Sequence, residues 1–178
     1  AIDPIDSYSK YLEYNEVIEH LDEQMEKGWV DKVLKMKDIL LRGKEALDQI
    51  QILGDDGVPI EYHIAFNKSE VIDFIILQQD GFDKIDASTP LERQRYMTNK
   101  VLDICDASFD FDSFEKVNTY FKKMINILKQ MNYQEFHSDE FKKFEKELEE
   151  LLSQRRVDEQ SEQEPEYETA ADDRGEDD

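Results

Sequence analysis

The chain has 178 residues, enough for one domain with a real core or at most two small ones. Hydrophobic residues make up 39% and charged residues 37%, and the formal net charge of −22 leaves no basic stripe for nucleic acid or an anionic membrane surface. A lone Cys105 closes no internal disulfide, which suits a reducing cytoplasm, and no run approaches the roughly 20 apolar residues of a bilayer span. The acidic start, Ala1-Ile2-Asp3-Pro4, lacks the apolar stretch of a secretion signal.

Residues 1–14 carry Pro4, two Asp and three aromatics, and predict an irregular lead-in. Asn15 caps a short helix to Met25, with Val17, Ile18, Leu21 and Met25 on one stripe, and Gly28 interrupts it. A second helix starts at Trp29 and carries Val33, Leu34, Leu47, Ile50 and Leu53. Gly43 inside it costs about 1 kcal/mol relative to Ala, which predicts a kink or a close approach. Gly54-Asp55-Asp56-Gly57 stops that helix. The third starts near Pro59 and becomes so apolar over residues 71–77 that this half is expected to be the most buried element. Thr89-Pro90-Leu91-Glu92 has the form of a capping box with Pro at the first helical position, and opens a fourth helix to about Ser108. Asp112 and Glu115 mark the start of a fifth, with Phe114, Val117, Phe121, Met124, Ile125 and Leu128 on one face. Ser138 starts a sixth, whose Phe141, Phe144, Leu148, Leu151 and Leu152 form a narrow seam for a partner helix. No period-2 strand and no repeat stand out. The expected fold is all-α, a bundle of about six helices over residues 1–157. Residues 158–178 hold eleven acidic side chains and one Arg, and are expected to form a disordered acidic tail.

Chemistry-bearing motifs are scarce. Gly43-Lys44 is followed by Glu45, and Asp38 stands where a phosphate-binding loop needs its first Gly, so the chain is not expected to hydrolyse ATP alone. No catalytic residue is assigned. His20, His63 and His137 are far apart and read as surface or boundary residues, so no metal site is expected. Cys105, between Asp103 and Asp106, reads as a packing residue. Asp80, Asp83 and Asp86, and likewise Asp110 and Asp112, do not match a calcium loop and read as turn and cap carboxylates. For Gln78-Gln79-Asp80-Gly81-Phe82, the residues alone suggest a left-handed cap at Gly81, with Phe82 folded back and the Gln pair solvated.

That segment, followed by Asp86 and then Thr89-Pro90-Leu91-Glu92-Arg93-Gln94, resembles a signature in the C-terminal region of the catalytic A subunit of V/A-type rotary ATPases, in their bacterial branch. Ser7-Tyr8-Ser9, Ala1 to Pro4 and the Leu53-Gly54-Asp55 turn resemble further stretches of the same region, and the likeness is expected to fade after about Ile104. It implies a helical domain that lies at the membrane-facing end of a ring of A and B subunits and pushes on a central rotor stalk. ATP hydrolysis or synthesis upstream is thereby coupled to proton or sodium transport on the cytoplasmic side of the membrane. ATP or ADP with Mg belongs to the full-length subunit, and no cofactor to these residues alone. The resemblance also implies that Gln78, Gln79, Asp80, Gly81 and Phe82 face adenine, although relatives commonly carry Asn-Ala at the positions of Asp80 and Gly81. The competing expectation is a free-standing acidic helical adaptor or chaperone-like protein that binds basic partners. A di-iron carboxylate bundle fails because no Glu-x-x-His pair occurs.

Overall fold

Two glycines with positive φ bracket the longest helix. In the computed structural model, which describes residues 28–78 and 90–155, α1 runs Trp29–Leu53 between Gly28 at φ +90° and Gly54 at φ +85°. Both lie where L side chains are strained, and the Gly54 N–H returns to the Ile50 carbonyl at 2.8 Å, closing the last turn. A 3-10 turn, Asp55–Gly57, hands over to α2, Ile60–Ile72.

α1 and α2 form the most extensively packed pair of helices. Gly43 is the reason they lie so close: a Cβ there would sit 2.1 Å from Ser69 Oγ and 3.3 Å from the Ala65 carbonyl. The helix is continuous through this point, so of the two expectations the close approach holds and the kink does not. Gly43-Lys44 is therefore mid-helix, where backbone N–H groups are already committed to the helix ladder.

Past Ile72 the winding loosens into a five-residue π-helix, Asp73–Leu77. Val71, Ile72 and Ile75 are fully buried, as the apolar run suggested, while Phe74, Ile76 and Leu77 are partly covered. α3, Pro90–Asp106, buries a stripe of Arg93, Met97, Val101 and Cys105 at four-residue spacing.

After α3, Phe109 and Phe111 turn inward, their ring centroids 4.9 Å from Phe121 and Tyr120 respectively. The two aromatics make the corner that leads into α4, Phe114–Tyr133. The cap of α4 is Ser113, whose hydroxyl accepts the Lys116 N–H at 3.3 Å. It is not the expected Asp112, which instead pairs with the Lys116 ammonium at 2.8 Å. Ser138 caps α5, Asp139–Ser153, by accepting the Phe141 N–H at 3.2 Å, as expected.

α4 is the hub of the bundle. Its Val117, Phe121, Met124, Leu128 and Met131 have no exposed surface, and it packs on α2, the π turn and α5. Each such side chain contributes roughly 1.5–3 kcal/mol of burial. α5 meets it through Phe141 and Leu148, both buried, which is the seam read from its spacing. The described residues form five α-helices and no β-strand, and none of these helices is long and apolar enough to cross a membrane. The helix expected over residues 15–25, the Thr89 cap and the tail from 158 onward lie outside the described residues.

One histidine departs from expectation. His63 is buried rather than a boundary residue: its Nε2 lies 2.8 Å from the Asp55 carbonyl and its ring stacks on Phe114 at 5.2 Å. It ties the turn after α1 to the start of α4.

Candidate functional site

The segment singled out by sequence begins where α2 ends, and the local winding there is the first notable feature. Asp73 holds Gln78 twice: its carbonyl accepts the Gln78 N–H at 3.0 Å, the five-residue step of a π turn, and its carboxylate accepts from Gln78 Nε2 at 2.9 Å. Gln78 itself is exposed, with φ −93° and ψ 0°, in the sparsely populated bridge region. π turns and bridge-region residues both concentrate at functional sites. Lys129 of α4 lies over the Phe74 ring, 4.5 Å from its centroid, which pins the outer side of the same turn.

Gln78 is thus the anchored first residue of the proposed adenine-facing group. Gln79, Asp80, Gly81 and Phe82 lie outside the described residues, as do Asp83 and Asp86. What the structure does describe is the frame at both ends of that segment. On the far side the chain re-enters at α3, and within its first turns Arg93 is wholly buried. Arg93 Nη1 donates to the Asn132 carbonyl at 2.9 Å. Asn132 is one residue before the end of α4, where carbonyls have no partner inside the helix and the helix dipole is negative. A guanidinium there both caps the helix and answers its dipole.

Further along α3, the Tyr96 hydroxyl donates to the Glu145 carboxylate of α5, with Phe136 and Phe141 edge-on to the ring at 5.5 and 5.6 Å. Burial first, and then that carboxylate, push the Tyr96 phenol well above its ordinary range. It stays a neutral donor at any physiological pH. The entrance to α3 is therefore fixed to α4 by Arg93 and to α5 by Tyr96, while the π turn rests on α3 and α4.

Neither Arg93 nor the π turn was given a role from sequence. The signal for Arg93 was present: a charged residue stands in register with the apolar stripe Met97, Val101 and Cys105, the mark of an internal cap or ion partner rather than a solvated group. No signal distinguishes five consecutive π-wound residues from α-wound ones when all but one are apolar. Cys105 behaves as read, a packing residue with 8% of its surface exposed. Burial before any neighbouring charge pushes its thiol up to about 12.

A second exposed feature lies at the far end of the α1–α2 hairpin. Ile52 is 73% exposed and Leu53 56%, next to Asp55 and Asp56.

Comparison with known proteins follows the same segment. Residues 19–109 match the model of the family described as the C-terminal domain of V and A type ATP synthase. Among individual proteins, the V-type ATP synthase alpha chain of Protochlamydia amoebophila (strain UWE25) is 33% identical over 156 residues, which covers 86% of this chain and 26% of that protein. That of Chlamydia abortus (strain DSM 27085 / S26/3) is 37% identical over 142 residues, 80% of this chain and 24% of the relative. That of Borrelia duttonii (strain Ly) is 30% identical over 158 residues, 89% of this chain and 25% of the relative. Alignments of this length run past Ile104, where likeness was expected to fade. The chain spans about a quarter of the length of these relatives. No solved structure matches it.

Proposed function

The chain belongs to the family of the C-terminal domain of V and A type ATP synthase, and from that premise we propose that it is the lever of an ATP-driven rotary motor. Its work is mechanical. Nucleotide chemistry, with Mg, resides in the part of the full-length subunit not represented here, and the helices carry its movement to neighbouring B subunits and a central rotor stalk. The motor so coupled moves protons or sodium ions, with this domain on the cytoplasmic side and outside the membrane. The observation that carries the reading is the family match over residues 19–109, which includes the Gln78 to Phe82 segment whole. Two features of the structure support it. The α1–α2 hairpin is closely joined at Gly43 and Ser69, as a lever must be to transmit force rather than absorb it. Its outer end exposes Ile52 and Leu53, an apolar tip suited to a protein partner.

In this proposal Gln78, Gln79, Asp80, Gly81 and Phe82 form the adenine-facing edge, with Phe82 as the aromatic wall. An aromatic contact with a ring is worth roughly 0.5–1.5 kcal/mol, or about a threefold to tenfold change in binding. Phe82→Ala in the full-length subunit, assembled with its partners, is expected to raise KM for ATP by about that factor while the melting temperature of the subunit stays put. An unchanged KM would remove the adenine assignment without touching family membership. A free-standing adaptor gains nothing specific from the structure.

A further inference from the structure

An open groove of about 450 Å³ runs between the first half of α4 and the end of α5. Phe111, Tyr120 and Leu151 give it apolar walls, and Lys116, Thr119 and Lys123 line it from successive turns of α4. We propose that this groove is the docking site of an acidic segment of the same chain, residues 158–168. The inference is independent of the motor reading.

Charge is the first argument. The body of the chain is acidic, yet α4 carries Lys116, Lys122, Lys123 and Lys129 against Glu115 alone. Lys123 makes no ion pair among the described residues, whereas Lys116 is already engaged by Asp112 at 2.8 Å. Glu115 also lines the groove, so the attraction centres on Lys123 and the outer side of Lys116. Residues 158–168 contain Asp158, Glu159, Glu162, Glu164, Glu166 and Glu168 and no basic residue.

Position is the second. Leu151 and Gln154 line the groove, and they lie just before the tail in sequence. The Tyr120 hydroxyl donates to the Leu151 carbonyl at 2.7 Å, and the Asp110 N–H donates to the Arg155 carbonyl at 3.0 Å. The point at which the chain leaves α5 is therefore tied to the groove wall on two sides. Lys116 and Lys123 are seven residues apart on one helix, about 10 Å. An extended strand gains about 3.3 Å per residue, so the acids from Asp158 to Glu164 span both lysines within the first ten residues after Gln154. Tethering at this range corresponds to an effective concentration in the mM range, enough to populate a contact whose individual surface ion pairs are each weak. Tyr167, the one aromatic of the tail, matches the apolar walls.

The test uses the full chain. A nitroxide on Ser161→Cys reports which amides the tail visits, and buried Cys105 stays unlabelled because its thiol is covered and largely protonated below about 12. At about 50 mM salt the amide signals of Lys116, Thr119 and Lys123 are expected to lose more than half their intensity, and to recover at about 500 mM as screening shortens. The double variant Lys116→Glu/Lys123→Glu, with unchanged helical dichroism, is expected to abolish that loss. Glutamine at the tail glutamates supplies the same reading should the double variant misfold. Even broadening over all faces, broadening elsewhere on the bundle, or a loss at the groove indifferent to salt and charge reversal overturns the proposal. An unbroadened groove protected instead by another subunit does so as well.

Discussion

Cys105 illustrates how a residue with no chemistry can still set a pH limit. Its sulfur sits 3.8 Å from the Lys68 carbonyl, and burial raises the thiol from 9.0 to about 12, with Lys68 pulling the other way and Asp106 adding to the rise. Because the folded pKa is above the unfolded one, its contribution is complete below pH 9 and fades as pH climbs toward 12. The slope is at most about 1.4 kcal/mol per pH unit. Tyr96, raised from 10.0 by burial, adds loss in the same direction at higher pH. Lys68 opposes both: burial lowers its pKa, so the folded form sheds that proton early and recovers stability as pH rises. The expected outcome is a melting temperature that falls above pH 9, and falls less steeply in Cys105→Ala. Parallel curves for the two proteins would mean that the thiol is not a source. At this scale the sequence was readable where polarity matched place, as at Cys105 and the Ser138 cap. It misled at His63, which reads as a boundary residue, while at Arg93 the in-register signal was present but carried no assignment. His63 and Arg93 are buried because a turn carbonyl and a helix end needed partners, and such needs exist only once the elements have met.

Among the elements, the α1–α2 hairpin shows how one absent methyl can join two helices. With a Cβ at position 43 only 2.1 Å from Ser69 Oγ and 2.2 Å from its Cβ, neither partner can yield by rotating a side chain. Gly43→Leu is expected to cost about 1–3 kcal/mol, or several degrees of melting, despite the better helix propensity of Leu. Pairing it with Ser69→Gly should restore part of the loss, which a purely local propensity effect would not. A thermal melt of the single and double variants decides between them. Helix boundaries were legible here because caps and glycines act over three or four residues: Gly28 and Ser138 mark real beginnings and Gly54 a real end. The Asp112 and Ser113 alternatives differ by one residue and both offer an oxygen, so local chemistry alone could not choose. The hydroxyl serves as cap, and the carboxylate takes the lysine one turn on.

For the molecule as a whole, the all-α architecture followed from periodicity, while the family followed from the order and spacing of a few motifs rather than from any reactive group. That asymmetry is physical. A domain with the proposed lever role needs packing, and packing leaves a period in the sequence without naming what is moved. It also yields a plain expectation for the isolated chain: helical dichroism and a cooperative melt, but no ATP turnover. Gly43-Lys44, the one Gly-Lys pair in the sequence, is locked inside α1. Turnover that survives repeated purification would contradict the lever reading. The five π-wound residues at the end of α2 carry a last implication. Such a turn amounts to one surplus residue in an otherwise regular spiral. Rewinding it to the ordinary pitch would swing whatever follows Gln78 by about 100° and advance it by about 1.5 Å, with α2 still intact upstream. The segment proposed to face adenine could be re-aimed in this way by a click of the screw, with no helix melted.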